Sequence, residues 1–136
     1  MDDPLKILVV EYDAMLLASE VLLLRSRCYA ATPADCISHA SIFLSKLNIA
    51  ALIIGHSVPR DDREGLVVLC RHLQSQARIL VLHSSGKEMV TRPDAAVDSR
   101  EGPALVLNAL DALLGDFNEL SAPRSAPSPQ AKGKTA

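Results

Sequence analysis

Short apolar runs alternate along the chain with longer segments whose apolar residues recur at helical spacing. The short runs are KILVV at 6–10, YAATPA at 29–34, IAALIIG at 49–55, ARILVLHSS at 77–85 and AAV at 95–97. The longer segments are AMLLASEVLLLRSR at 14–27, DCISHASIFLSKL at 35–47, DREGLVVLCRHLQS at 62–75 and GPALVLNALDALL at 102–114. This pattern predicts strands that alternate with helices, with Asp13, Asp35 and either Asp61 or Asp62 as helix caps.

The strands read as continuous apolar runs, which is typical of a parallel sheet covered on both faces. We therefore predict a doubly wound α/β domain with a five-stranded parallel sheet. In such a sheet the functional crevice lies beyond the carboxyl ends of the strands, where the strand order reverses. The segments expected there are Glu11-Tyr12-Asp13, Gly55-His56-Ser57 and His83-Ser84-Ser85.

Composition narrows the class of protein. The 136 residues suffice for one domain, predicted at 5–115, and residues 116–136 are predicted to be a disordered tail rich in Pro, Ser and Ala. A net charge of -2 gives no electrostatic case for nucleic acid or membrane as a partner. No leader or membrane-spanning run is expected, and three cysteines favour a reduced, cytoplasmic compartment, with each cysteine expected as a small core residue.

The opening KILVVEYD, the turn GHSVP and the strand ILVLHSS, in this order of elements, resemble the receiver domain of bacterial response regulators. The resemblance covers about residues 5–114. It implies a flavodoxin-like receiver fold and a role in two-component phosphorelay signalling. Members of that family accept a phosphoryl group from a histidine kinase on an aspartate, with Mg²⁺ bound.

Set against that family, this chain keeps one acidic residue, Glu11, and departs at four other positions that carry the chemistry. The acceptor position falls on Gly55, and the acidic pair falls on Glu11 and Tyr12. The hydroxyl position falls on His83, with Ser84 next to it, and the family's Lys-Pro has no match. We therefore expect a degenerate receiver that is not phosphorylated on aspartate, binds no Mg²⁺ or other cofactor and has no catalytic activity.

A further departure concerns the fourth helix of the family. The segment SGKEMVTRPD at 85–94 has room for one or two helical turns at most. We expect a shortened helix there, and hence a partner surface that differs from the usual one.

Two alternatives remain open for the polar residues at the strand ends. His56 or Ser57 could serve as a substitute phosphoryl acceptor, or Glu11, His56 and His83 could ligate a metal ion. The simpler interpretation is structural, with a tight turn at Gly55 and Ser57 bonded to its own loop. Side chains that converge on one point would favour the alternatives, whereas a collapsed cleft would favour a contact module.

The hypothesis from sequence is a cytoplasmic signalling protein that acts by contact with another protein. A histidine kinase, another receiver or an effector could be that partner. His56, Ser57 and Ser84 are the expected contacts at the edge of the crevice.

Overall fold

The computed structural model describes residues 4–84 and 93–121, and these form a sheet with helices on both sides. The strands are β1 (Lys6–Val10), β2 (Ala30–Ala34), β3 (Ala51–Ile54), β4 (Arg78–His83) and β5 (Ala95–Asp98). The helices are α1 (Ala14–Ser26), α2 (Ile37–Lys46), α3 (Arg60–Leu73) and α4 (Pro103–Ser121), with a single 3₁₀ turn at Ser99–Glu101.

All five strands are parallel, in the order β2-β1-β3-β4-β5, which confirms the predicted doubly wound sheet. One apolar cluster lies between the sheet and the pair α1 and α4, and a second lies between the sheet and the pair α2 and α3. All four residues of β3 are buried, since helices cover the sheet on both faces.

The strand order reverses between β1 and β3, which are neighbours in the sheet. Val10 pairs with Ile54 at the carboxyl ends of these two strands. The residues that follow each strand therefore emerge side by side, as the crevice rule for doubly wound sheets requires. We call the space between residues 11–13 and 55–58 the switch-point cleft.

The start of α1 agrees with the sequence prediction, and the starts of α2 and α3 do not. Asp13 caps α1, accepting hydrogen bonds from two backbone N–H groups of the first turn. Cys36, not Asp35, is the cap residue of α2. Pro59 precedes α3, because its fixed φ of -60° suits an entry to a helix, and Asp61 and Asp62 consequently fall within the first turn.

Only one of the three cysteines is the core residue that was predicted. Cys70 is buried against the sheet on the α2 and α3 side. Cys28 is exposed just after α1, where its φ of 67° closes the helix in the left-handed region that glycine usually fills. Cys36 is half-buried at the start of α2.

Two sequence predictions fall on residues outside the described ranges. The shortened fourth helix was predicted at 85–94, of which 85–92 are not described. The tail was predicted from residue 116, but α4 continues to Ser121, and residues 122–136 lie beyond the description. None of the described helices is long and apolar enough to cross a membrane.

Candidate functional site

The carboxylate of Glu11 fills the space above Gly55. Glu11 follows β1 and is fully buried, and Gly55 follows β3. A Cβ atom placed on Gly55 would lie 1.7 Å from Cδ of Glu11 and 1.9 Å from its Oε2. Such distances are far inside van der Waals contact. Glycine is therefore required at 55 by the close approach of Glu11, and not only by the turn that the sequence suggested.

Ser57 holds the Glu11 carboxylate in this position. Its backbone N–H donates to Oε1 of Glu11 over 3.2 Å, and its hydroxyl donates to the same oxygen. The Ser57 hydroxyl in turn accepts from the backbone N–H groups of Tyr12 at 2.8 Å and Asp13 at 3.2 Å. The expectation that Ser57 bonds only within its own loop is therefore wrong, since it joins the loops after β1 and β3.

The other oxygen of Glu11 faces a second carboxyl group, that of Glu20 in the middle of α1. Oε2 of Glu11 and Oε1 of Glu20 are both buried, and neither has a hydrogen-bond partner among the described residues. Burial raises the pKa of Glu20 well above its usual range, and the neighbouring Glu11 carboxyl raises it further. The raised pKa favours the protonated form of Glu20 in the folded protein.

Tyr12 turns toward α3, away from the Glu11 carboxylate. Its hydroxyl donates to Oδ2 of Asp62 over 2.7 Å, and its half-buried ring packs on the apolar cluster beneath α2 and α3. Burial first, and then the bond and charge of Asp62, raise the pKa of Tyr12 to about 12. The phenol therefore stays neutral and does not replace a metal-binding carboxylate.

Arg100 and Asp98 form an ion pair at the end of β5, next to the end of β4. Nη2 of Arg100 lies 2.6 Å from Oδ2 of Asp98, and its Nε lies 2.9 Å from Oδ1. The Arg100 bonds lower the pKa of the Asp98 carboxyl. His83 pairs with Asp98 in the sheet register, and its carbonyl accepts from the Ser99 hydroxyl over 3.2 Å. The guanidinium at this edge of the sheet is thus neutralised by Asp98.

The predicted contacts His56 and Ser84 share a different space from Ser57. Together with Glu20 and Arg100 they line a cavity of about 610 Å³ between α1, the strand ends and the start of α4. Glu11 and Ser57 do not line this cavity. The structure therefore divides the predicted site residues between the filled switch-point cleft and an open cavity beside it.

The residues of the switch-point cleft do not fit Mg²⁺. That ion requires near-octahedral oxygen ligands, usually one or two carboxylates together with several waters. Oε1 of Glu11 is bonded to Ser57, which leaves only the buried Oε2. Gly55 offers no ligand, and Oδ1 of Asp13 caps α1 through Met15 N at 2.9 Å and Leu16 N at 3.1 Å.

The set Glu11, His56 and His83 is not brought together as a metal site. Within residues 4–84 and 93–121, one group of three or more ligand side chains converges, and it consists of Asp35, Cys36 and His39. The sequence analysis missed that group because it assigned Cys36 to the core and Asp35 to a helix cap. The sequence analysis also missed Glu20. An acidic residue within a Leu-rich helical segment could have indicated it, because a carboxyl group is rarely buried without a partner.

Comparison with known proteins supports the fold. No protein-family model matches the chain, and no curated protein matches it. Solved structures do match, among them a CheY-like response regulator receiver domain from Methanospirillum hungatei, at a TM-score of 0.75 and 13% identity over 87% of this chain and 99% of that one. A response regulator receiver protein from Sinorhizobium medicae matches at 0.73 and 17%, over 83% and 96%.

A third match is the receiver domain of a sensor histidine kinase from Pseudomonas aeruginosa, whose active-site cleft holds a coordinated magnesium ion. Its TM-score is 0.73 and its identity 16%, over 82% of this chain and 98% of that one. At such identities the likeness establishes the receiver-like fold that the sequence predicted, and nothing finer.

Proposed function

We propose that this protein is a receiver-like module of two-component signalling that acts by protein contact and is not phosphorylated on an aspartate. The fold supports the signalling class, since the structures that it matches are receiver domains. One observation supports the absence of aspartyl phosphorylation: the Glu11 carboxylate occupies the space that any side chain at position 55 would need. The Glu11 side chain therefore fills the switch-point cleft in the folded protein.

Phosphoryl transfer to a carboxylate needs a free nucleophile and cations that offset the charge of the transferred oxygens. Position 55 has no side chain, and the nearest carboxylate, Glu11, accepts two hydrogen bonds from Ser57 and faces Glu20. The nearby guanidinium of Arg100 is held by Asp98. Within residues 4–84 and 93–121, position 55 supplies no nucleophile and Arg100 is held by Asp98, so we expect no phosphoryl transfer to an aspartate at this cleft.

The bonding of Ser57 argues against its use as a substitute acceptor. A serine hydroxyl has one proton to donate and two lone pairs that accept. Its proton goes to Glu11, and its lone pairs accept from Tyr12 N and Asp13 N. Attack on phosphorus would therefore require the hydroxyl to give up one of these two N–H bonds.

The proposed function requires contact with another protein, and α1 carries exposed apolar side chains that could take part in it. Met15 is 80% exposed and Leu22 is 67% exposed, and they lie about two helical turns apart on one side of the helix. Exposed apolar side chains mark an interaction site when they belong to a contiguous patch. A histidine kinase, another receiver or an effector fits this role.

Intact-mass measurement tests the proposal directly. The protein is incubated with a small-molecule phosphodonor and Mg²⁺, beside an active receiver as the positive control. We expect the control to gain a phosphoryl group and this protein to gain none. A stoichiometric gain would contradict the proposal, and its loss in His56→Ala or Ser57→Ala would identify the acceptor.

A further inference from the structure

Three side chains with different metal-binding atoms converge at the start of α2. They are the carboxylate of Asp35, the thiol of Cys36 and the imidazole of His39. We propose that these residues bind a divalent metal ion of the zinc class. The site is separate from the switch-point cleft, and the inference does not rest on the proposed function.

The local backbone explains the convergence. Cys36 is the residue that caps α2, and His39 lies one turn further along the helix, so their side chains share a face. Asp35 directly precedes the cap, and its Oδ1 lies 3.1 Å from Nδ1 of His39. The three ligand atoms all lie within 4.8 Å of one another. A tetrahedral zinc site spaces its ligand atoms by about 3.5 Å, so small side-chain rotations complete the geometry.

All three side chains are accessible to an incoming ion. The side chains of Asp35 and His39 are 62% and 59% exposed, and Cys36 is half-buried. The Cys36 side chain forms no hydrogen bond to the end of α2, although it occupies the cap position. Its sulfur is therefore not committed to the helix.

The donor set selects the class of metal. A thiolate, an imidazole and a carboxylate suit zinc and its borderline neighbours, whereas Mg²⁺ and Ca²⁺ prefer oxygen ligands alone. Three protein ligands leave the fourth tetrahedral position for water or for a side chain of a partner.

Titration with Co²⁺, which replaces zinc in tetrahedral sites and is coloured, tests the site. We expect a thiolate-to-cobalt absorption band that saturates at one ion per chain and disappears when one equivalent of Zn²⁺ is added. Cys36→Ser should abolish the band, and His39→Ala should weaken binding at least about tenfold. Cys28→Ser and His72→Ala are matched controls, because each removes an exposed thiol or imidazole outside the group.

The inference is overturned if the band persists in Cys36→Ser, if Cys28→Ser removes it, or if no band forms. Circular dichroism checks that each variant is folded. Should Cys36→Ser fail to fold, alkylation of the unaltered protein decides the matter. Zn²⁺ should protect Cys36 from alkylation while Cys28 still reacts, and equal reaction of both thiols would refute the site.

Discussion

Gly55→Ala should be strongly destabilising, although it adds one methyl group. The new Cβ would lie 1.7 Å from Cδ of Glu11, so the carboxylate must move by about 2 Å to reach normal contact distance. The move breaks both hydrogen bonds from Ser57, and bonds to a charged group contribute about 1.5–3 kcal/mol each. We expect a loss of about 3–5 kcal/mol, which lowers the melting temperature by roughly 12–20 °C for a domain of this size.

A double-mutant cycle measured by denaturant unfolding isolates the cause. In a Glu11→Ala background the space above Gly55 is open, so Gly55→Ala should reduce the free energy of unfolding by about 1 kcal/mol or less. Gly65→Ala is the matched control, because nothing lies within 4 Å of its added Cβ in α3 and alanine favours the helix by about 0.5–1 kcal/mol. The reasoning is refuted if Gly55→Ala matches the unaltered protein, or if Glu11→Ala fails to suppress its effect.

Two further predictions concern groups whose pKa values are raised by burial. The pKa of Glu20 is raised in the folded protein above its ordinary value of 4.5, so the stabilising contribution of Glu20 is full below that pH and falls as pH rises toward the folded pKa. Denaturant unfolding should therefore show a free energy of unfolding that declines from about pH 5 to about pH 8. Glu20→Gln should reduce this pH dependence, and the control Glu64→Gln should leave it unchanged. Burial raises the pKa of the Cys70 thiol to about 11. An alkylating reagent should therefore modify exposed Cys28 in the native protein and leave Cys70 unreacted until denaturant is added, as mass spectrometry can measure. Equal reaction rates of the two thiols in the native protein would contradict this prediction.

The fold was predictable because the signals for it are local and repeated. Continuous apolar strands and helically spaced apolar segments recur along the chain, and their alternation admits few topologies. The same reasoning placed Glu11, Gly55 and Ser57 at adjacent strand ends, since parallel strands deliver their carboxyl ends to one edge of the sheet. The register between Val10 and Ile54 confirms that placement.

The direction of the Glu11 side chain was not predictable in the same way. It depends on the absence of a Cβ at Gly55 and on two donors from Ser57, which are distant from Glu11 in sequence. The partnership with Glu20 depends on how α1 packs across the end of the sheet. Periodicity reports which face of an element is buried, but not which buried polar groups meet.

The cap positions show a smaller limit of the same kind. An aspartate before a helical pattern is a sound cap signal, and it was correct at Asp13. At Asp35 the carboxylate lies against His39 instead, and Cys36 takes the cap position without a side-chain bond. Competing local partners of this sort shift a helix start by a residue.

The most direct test of the central claim, that Glu11 closes the switch-point cleft, is an NMR titration with Mg²⁺ and beryllofluoride, a tetrahedral phosphoryl analogue. The amide signals of Glu11, Gly55 and Ser57 report on the cleft, and an active receiver serves as the control. The account predicts that these signals stay unchanged while those of the control move and saturate. Saturable shifts of the three amides would show a cleft that opens to a phosphoryl group and would contradict the account.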